Sequence, residues 1–184
     1  MARALPVFLG GNPVDRLASL FDAHHDRLYR LGRRLAPSAD DAHDLVQETF
    51  LRAAQFPKSI PVGNANEEAW LVRVLINIRR DQWRKMSVRD YHDKAKLGGG
   101  HLASTAPDPE AALIAKSAVW QALNVLPPRR RAIVVMCELE GLAISAIAAL
   151  LGITTITVRW HLSMGRRDLT RALKPYRGDT NGKH

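Results

Sequence analysis

The sequence predicts an all-α protein made of two small helical domains joined by a flexible linker. Three observations carry that expectation. Apolar residues recur every three or four positions through residues 14–90 and again through residues 110–175, the period of helices buried along one face. No stretch of useful length alternates apolar and polar residues as a strand would. Between the two periodic regions, residues 91–109 lose the pattern, and "KLGGGHLASTAPDP" holds three consecutive glycines and two prolines, the composition of a tether. Aromatic residues make up only 6%, while Ala, Leu, Ile and Val are plentiful, which suits helices packed on helices.

The first helix is "DRLASLFDAHHDRLYRLGRRLA", with Leu17, Leu20, Phe21, Leu28, Leu31 and Leu35 on one side. Pro37 and Ser38 break it, and Ser38 or Asp40 can cap a second helix, "DDAHDLVQETFLRAAQF". "PKSIPVGNAN" reads as a loop, and "EEAWLVRVLINIRRDQWRKM" as a third long helix. Past the linker, "PEAALIAKSAVWQALNVL" and "LPPRRRAIVVMCELEG" form two more helices, with Pro128 suited to a first helical position. A polar tail, "YRGDTNGKH", ends the sequence.

The stretch "GLAISAIAALLGITTITVRWH" is a helix-turn-helix. Ile144, Ile147, Ala148 and Leu151 face inward; Gly152 closes the first helix in the left-handed conformation, and Thr154 caps the second. Val158, Leu162, Gly165 and Leu169 form the buried stripe of that second helix. Thr155, Ile156, Arg159, Trp160, Ser163, Arg166 and Arg167 are left outward, a polar and basic face that fits a major groove. A plain helical hairpin with a solvated basic face is the alternative. Against it stand six Lys/Arg facing only Asp168 between Arg159 and Arg177, and the exposed Trp160, which costs solubility unless something covers it.

The net charge of +9 and pI near 10.3 point to a polyanionic partner. Residues 1–90 hold 14 Lys/Arg against 11 Asp/Glu, and residues 91–184 hold 13 against 7. Within the first region "SADDAHDLVQE" carries Asp40, Asp41, Asp44 and Glu48 with no Lys or Arg, so two different partners are expected. No run approaches the roughly 18 apolar residues that cross a bilayer. "MARALPVFLGGNP" is too short and weak for a secretory signal and reads as a frayed leader. The lone Cys137 excludes an internal disulfide, fits a reducing cytoplasm and is expected in the core. No metal site is expected: His24 and His25 are adjacent and point apart, and His43 has no ligand four positions on. With no nucleophile–base pair, phosphate loop or HExxH, neither an enzyme nor a cofactor is expected. A basic amphipathic end that would favour an anionic membrane is also missing.

"ALNVLPPRRRAIVVMCELEGLAISAIAALLGITTITVRWHLSMGRRDLTRAL" resembles the promoter −35 reading domain of extracytoplasmic-function sigma factors of bacterial RNA polymerase. "DAHDLVQETFLRAAQF" and "EEAWLVRVLINIRRDQWRK" resemble the two core segments of that family's other domain, in family order with a family-like linker. The resemblance implies a transcription initiation factor, with a clamp and −10 domain over residues 14–90 and a −35 domain over residues 110–175. It implies that "DAHDLVQETF" docks on the clamp helices of core RNA polymerase. There Ala42, Leu45, Val46, Thr49 and Ala53 can face the core, leaving Asp44, Gln47, Glu48, Leu51 and Arg52 outward. That mixed face suits a basic helical partner, or is simply solvated.

By the same resemblance the third helix reads and opens the −10 element of promoter DNA. Trp70, Val74 and Ile78 would form its buried stripe, supported by Leu71 and Leu75. Arg73, Asn77, Arg80 and Arg84 recur at four, three and four residues on another face, suited to phosphates and an unstacked base. Residues 57–66 would form the wall of a flipped-base pocket, and Trp83 either stacks on a base or packs. The family also implies an anti-sigma factor as partner; no membrane insertion is expected, because no run is long and apolar enough to span a bilayer. Departures from the family pattern are Ile156 in place of glycine, Trp160 in place of a small polar residue, and His161 and Met164 in place of arginines. Fewer cations leave an alternative open, a sigma-like decoy that sequesters a sigma-factor regulator without binding DNA; the charge of +9 favours DNA.

Overall fold

Capping starts the chain's first helix as local chemistry dictates. The side chain of Asn12 accepts from the Val14 amide at 3.2 Å, and Pro13 occupies the first turn of α1, Pro13–Leu35. The computed structural model describes residues 12–96 and 111–177, and no strand occurs among them. The leader before Asn12, most of the expected linker and the end of the polar tail lie outside the described residues. Leu20, Leu28, Leu31 and Leu35 are buried as their spacing predicts, but Phe21 is 44% exposed. It sits at the rim of α1, stacked on His25 and tilted against Phe50.

Ser38 caps α2, Ala39–Gln55: its hydroxyl accepts from the Asp41 amide at 3.0 Å and donates to the Asp41 carboxylate at 2.6 Å. Ala42, Leu45, Val46, Thr49 and Ala53 are all buried, and the Thr49 hydroxyl donates to the Leu45 carbonyl, so its burial leaves no unmet donor. A short 3-10 turn at Pro57–Ser59 leads to α3, Asn64–Lys96, which continues as helix past residue 90 into the stretch expected as linker.

The centre of the buried face of α3 differs from the expected stripe. Leu71, Val72, Leu75, Ile76 and Ile78 are buried, whereas Trp70 and Val74 are only partly so. The reason is that α3 is covered on two sides, by α1 and α2 on one and by the C-terminal helices on the other.

The C-terminal unit comprises α4 (Ala111–Val125), α5 (Pro128–Val134), α6 (Ile144–Leu151) and α7 (Thr155–Arg177). After α5 the chain widens into a π-helical turn, Val135–Leu139, where a single regular helix was expected; Cys137 lies in that turn, half-buried against the core. Gly152 has φ 64°, the left-handed value expected, and the Thr157 amide donates to the Thr154 hydroxyl at 3.2 Å. α6 and α7 then cross at 109°, the angle of a helix-turn-helix. Val158 and Leu162 are buried, with Leu169 packed at the edge. Gly165 is required by packing: a Cβ there would stand 2.5 Å from the Val134 side chain, so α7 rests directly on α5.

The two units expected to be loosely joined are docked. α3 packs on α5 and α6, α1 packs on α5, and one apolar cluster runs without interruption from Leu20 to Leu162. Glu140, just past the π-helical turn, seals the seam. Its carboxylate accepts from Arg27 at 2.6 Å and Arg34 at 3.2 Å, both on α1, while Arg27 also donates to Glu68 at 3.0 Å. Burial works against the Arg27 charge, but the hydrogen bonds to Glu140 and Glu68 outweigh it and leave its pKa raised. Two further arginines lie buried near the seam. Arg79 donates to the Leu35 carbonyl at 3.1 Å; Arg131 donates to the Asn124 side chain and lies over the Trp120 ring. Burial, then the nearby Arg79 charge, lowers the Arg131 pKa to about 10, so Arg131 stays cationic at neutral pH; burial lowers the Arg79 pKa as well.

Candidate nucleic-acid interface

Three surfaces gather the residues singled out from the sequence. On the first, Asp44, Gln47, Glu48, Leu51 and Arg52 all line one groove, as their shared helical face predicts. α3 supplies the opposite wall with Ile78, Asp81, Gln82 and Lys85, which the sequence reading did not assign to this surface. They were illegible because the register of α3 against α2 depends on packing. Arg52 donates to Glu48 at 3.2 Å, a half-buried pair one turn apart. Gln47 and Leu51 also line a second, more apolar groove with Leu17, Phe21, His25, His43, Val46, Phe50 and Ala54. Leu51 and Phe21, 50% and 44% exposed, make this a continuous strip of mixed chemistry, acidic at one end and apolar at the other.

The second surface is the outer side of α3. Arg84 is exposed, but Arg73, Asn77 and Arg80 are half-buried. Arg80 bonds the adjacent Asp81 at 3.4 Å through two of its nitrogens. Arg73 lies beneath the turn of the helix-turn-helix, where a Cβ on Gly152 would come 2.9 Å from its guanidinium. The row Arg73–Asn77–Arg80–Arg84 is therefore open at its C-terminal end and covered by α6 at its N-terminal end. Of the preceding loop, Val62 is exposed and Ile60 buried, its carbonyl held by Arg16 at 3.0 Å.

The third surface is α7. Ile156, Arg159, Trp160, Ser163, Arg166 and Arg167 are exposed and Thr155 is half-exposed, so the outward face expected from spacing is the outward face observed. Arg166 donates to the Glu138 carboxylate through two nitrogens, at 3.0 and 2.7 Å, which ties it to the π-helical turn. The Arg130 guanidinium stands 5.6 Å from the Trp160 ring centroid and also bonds Asp168. His161 meets Trp160 edge-on at 4.8 Å. Its Nδ1 is buried without a partner, and burial, then Arg130 and Arg129, lowers its pKa; at neutral pH it is uncharged. The roles of Arg129, Arg130 and Arg131 in the run "PRRR" were not read from the sequence, since a run of like charges does not say which member is buried.

Among the described residues no cluster of three or more His, Cys, Asp or Glu could hold a metal ion. Among them too, no single helix is long and apolar enough to cross a membrane.

With this geometry in hand, comparison with known proteins is specific. Residues 20–88 match Sigma-70 region 2, and residues 116–169 match Sigma-70 region 4. The chain is 33% identical over 166 residues to the ECF RNA polymerase sigma factor SigE of Mycolicibacterium smegmatis, covering 85% of this chain and 61% of that one. It is 32% identical over 162 residues to the ECF RNA polymerase sigma factor SigM of Mycobacterium tuberculosis, covering 86% and 79%. Among solved structures, the sigma factor RpoE of Bartonella quintana, in complex with the anti-sigma factor NepR, superposes with a TM-score of 0.60 at 26% identity, covering 87% of this chain and 97% of that one. Two family segments in order, on an all-helical fold ending in a helix-turn-helix, place this chain among the extracytoplasmic-function sigma factors of bacterial RNA polymerase.

Proposed function

We propose that this chain directs core RNA polymerase to specific promoters in the cytoplasm and initiates transcription by binding alone, with no bond made or broken by its own side chains. The observation that carries this reading is the presence, on one chain, of a carboxylate-lined groove between α2 and α3 and an exposed cationic recognition helix, α7. The groove bearing Asp44, Gln47, Glu48, Leu51 and Arg52 grips a basic helical element of the polymerase clamp. Residues 14–90 then present Arg73, Asn77, Arg80 and Arg84 to the melted −10 strand, with residues 57–66 beside them. Residues 110–175 present Thr155, Ile156, Arg159, Trp160, Ser163, Arg166 and Arg167 to the −35 duplex. Linking two readers on one tether raises the effective concentration of the second once the first has bound, so each can be weak alone.

The docked arrangement gives this mechanism an order. Arg73 is covered by the α6–α7 turn, so full engagement of the −10 strand requires the C-terminal unit to withdraw from α3. Withdrawal breaks the Glu140 bonds to Arg27 and Arg34, and separates Arg131 from Arg79. An anti-sigma factor that favours the docked arrangement would keep the chain silent.

The test is transcription reconstituted from purified core polymerase, this chain and a library of promoter fragments. Discrete start sites carry the reading. Tight binding of a sigma-factor regulator with no transcripts would instead make the chain a decoy.

A further inference from the structure

We propose that Ile156 and Trp160 form a methyl reader, an apolar pair that recognises thymine by its C5-methyl group in the major groove; this rests on the reading of α7 as the −35 helix. Ile156 is 75% exposed and Trp160 55% exposed, one turn apart on the same side of α7 and near its N-terminus. They are not overflow from the core, because the inner stripe of α7 is already complete in Val158, Leu162 and the Gly165 contact with Val134. The N-terminal turns of a recognition helix are the ones that reach base edges. There the thymine methyl is the apolar group that base pairs offer, and an aliphatic or aromatic side chain is its partner.

Two further features favour duplex DNA as the occupant. Arg159 and Arg167 are exposed on the same helix, cations that match flanking phosphates and mismatch an ordinary apolar protein surface. The indole is also held in place. Arg130 lies 5.6 Å from its centroid and is itself anchored on Asp168, and His161 abuts the ring at 4.8 Å. A ring already positioned loses little freedom when a base edge arrives, so its contact area is available for recognition.

The chain assembled with core polymerase is first used to select −35 sequences from a randomised duplex library. Each thymine of the selected element is then replaced by deoxyuridine, which removes the methyl and nothing else. At one or two positions binding should fall about four-fold, the worth of one buried methyl. Ile156→Ala and Trp160→Ala should bind thymine and deoxyuridine duplexes equally at those positions while still selecting elsewhere in the element. Sharp selection with no deoxyuridine effect anywhere overturns the methyl reader and leaves the −35 helix standing. Absence of any −35 selection overturns that helix assignment, and the inference with it. If the two variants lose polymerase affinity but keep the deoxyuridine response, the pair is a protein contact and the inference fails.

Discussion

α3 and α7 carry the two arginine rows of this molecule, and packing treats them in opposite ways. α7 lies at the periphery, resting on α4 and α5 through one narrow stripe, and its cations project into solvent. α3 lies at the centre, covered on both sides, and its arginines are partitioned: Arg79 is 7% exposed, Arg73 sits under the Gly152 turn, and Arg84 alone of the expected row is exposed rather than half-buried. A helix in the middle of a fold cannot keep a whole cationic face in water. A cation buried without a carboxylate is costly, and Arg131 keeps two guanidinium nitrogens buried without partners. Glu140 pairs instead with Arg27 and Arg34 of α1, at the seam between the two units. The cationic face of α7 is thus open as folded, whereas the proposed −10 face of α3 is open only at its C-terminal end.

That contrast can be broken at Glu140. Glu140→Lys sets a third cation against Arg27 and Arg34, and disrupting a buried ion network costs about 3–5 kcal/mol, the lower end here because both arginines are partly exposed. The two units should part: the radius of gyration from small-angle X-ray scattering rises while far-UV circular dichroism holds its helical signal. An unchanged radius would remove Glu140 as the clasp.

A second, smaller effect separates the stability of one unit from that of the other. Gly165→Val forces a side chain into the Val134 contact and should cost about 2–3 kcal/mol by overpacking. Hydrogen exchange should speed up in α5 and α7 well before α1 and α2. Equal loosening of all helices would show that the units do not open independently.

Arg159→Ala tests the proposed −35 role of α7 alone. If its guanidinium is bidentate to a base, −35 discrimination should fall by about 1–3 kcal/mol at one position, with the docking of the units untouched. Selection from a randomised −35 library reads this, and an unaltered consensus would take Arg159 out of the reading role.

The smallest effect is a pH dependence confined to the C-terminal unit. His161 has its folded pKa lowered below 6.5, by burial first and by Arg130 and Arg129 after it. Above pH 6.5 both folded and unfolded forms are neutral and stability is indifferent to this group. As pH falls below 6.5 the unfolded chain takes up the proton first, so stability drops until the folded value is reached. Urea midpoints between pH 7 and 5 should show the decline, and His161→Gln should flatten it.

Much of the fold was legible because it is written in short-range chemistry. Asn12 and Ser38 start helices with side-chain caps, Thr154 and Gly152 make the turn, and the buried rows of α1, α2 and α7 follow a fixed period. The outward face of α7 was readable for the same reason, as was the α2 wall of the acidic groove. There are exceptions. Phe21 was placed in the core but lines a groove, Trp70 and Val74 were placed at the centre of a stripe but lie at its edge, and the π-helical turn interrupts an expected helix. For Phe21, Trp70 and Val74, packing partners distant in sequence decided which side of the helix is covered.

The capped helix starts, the Gly152 helix end and the outward faces of α2 and α7 belong to the sequence, because they depend on residues within a turn or two of one another. The docking of the two units belongs to the folded chain. Glu140 meets Arg27 and Arg34 across separations of 113 and 106 residues, and no period or cap links such positions. Charge pairing over that span is selected by shape, when apolar faces of α3, α5 and α6 close on one another and bring whatever charges border them into reach.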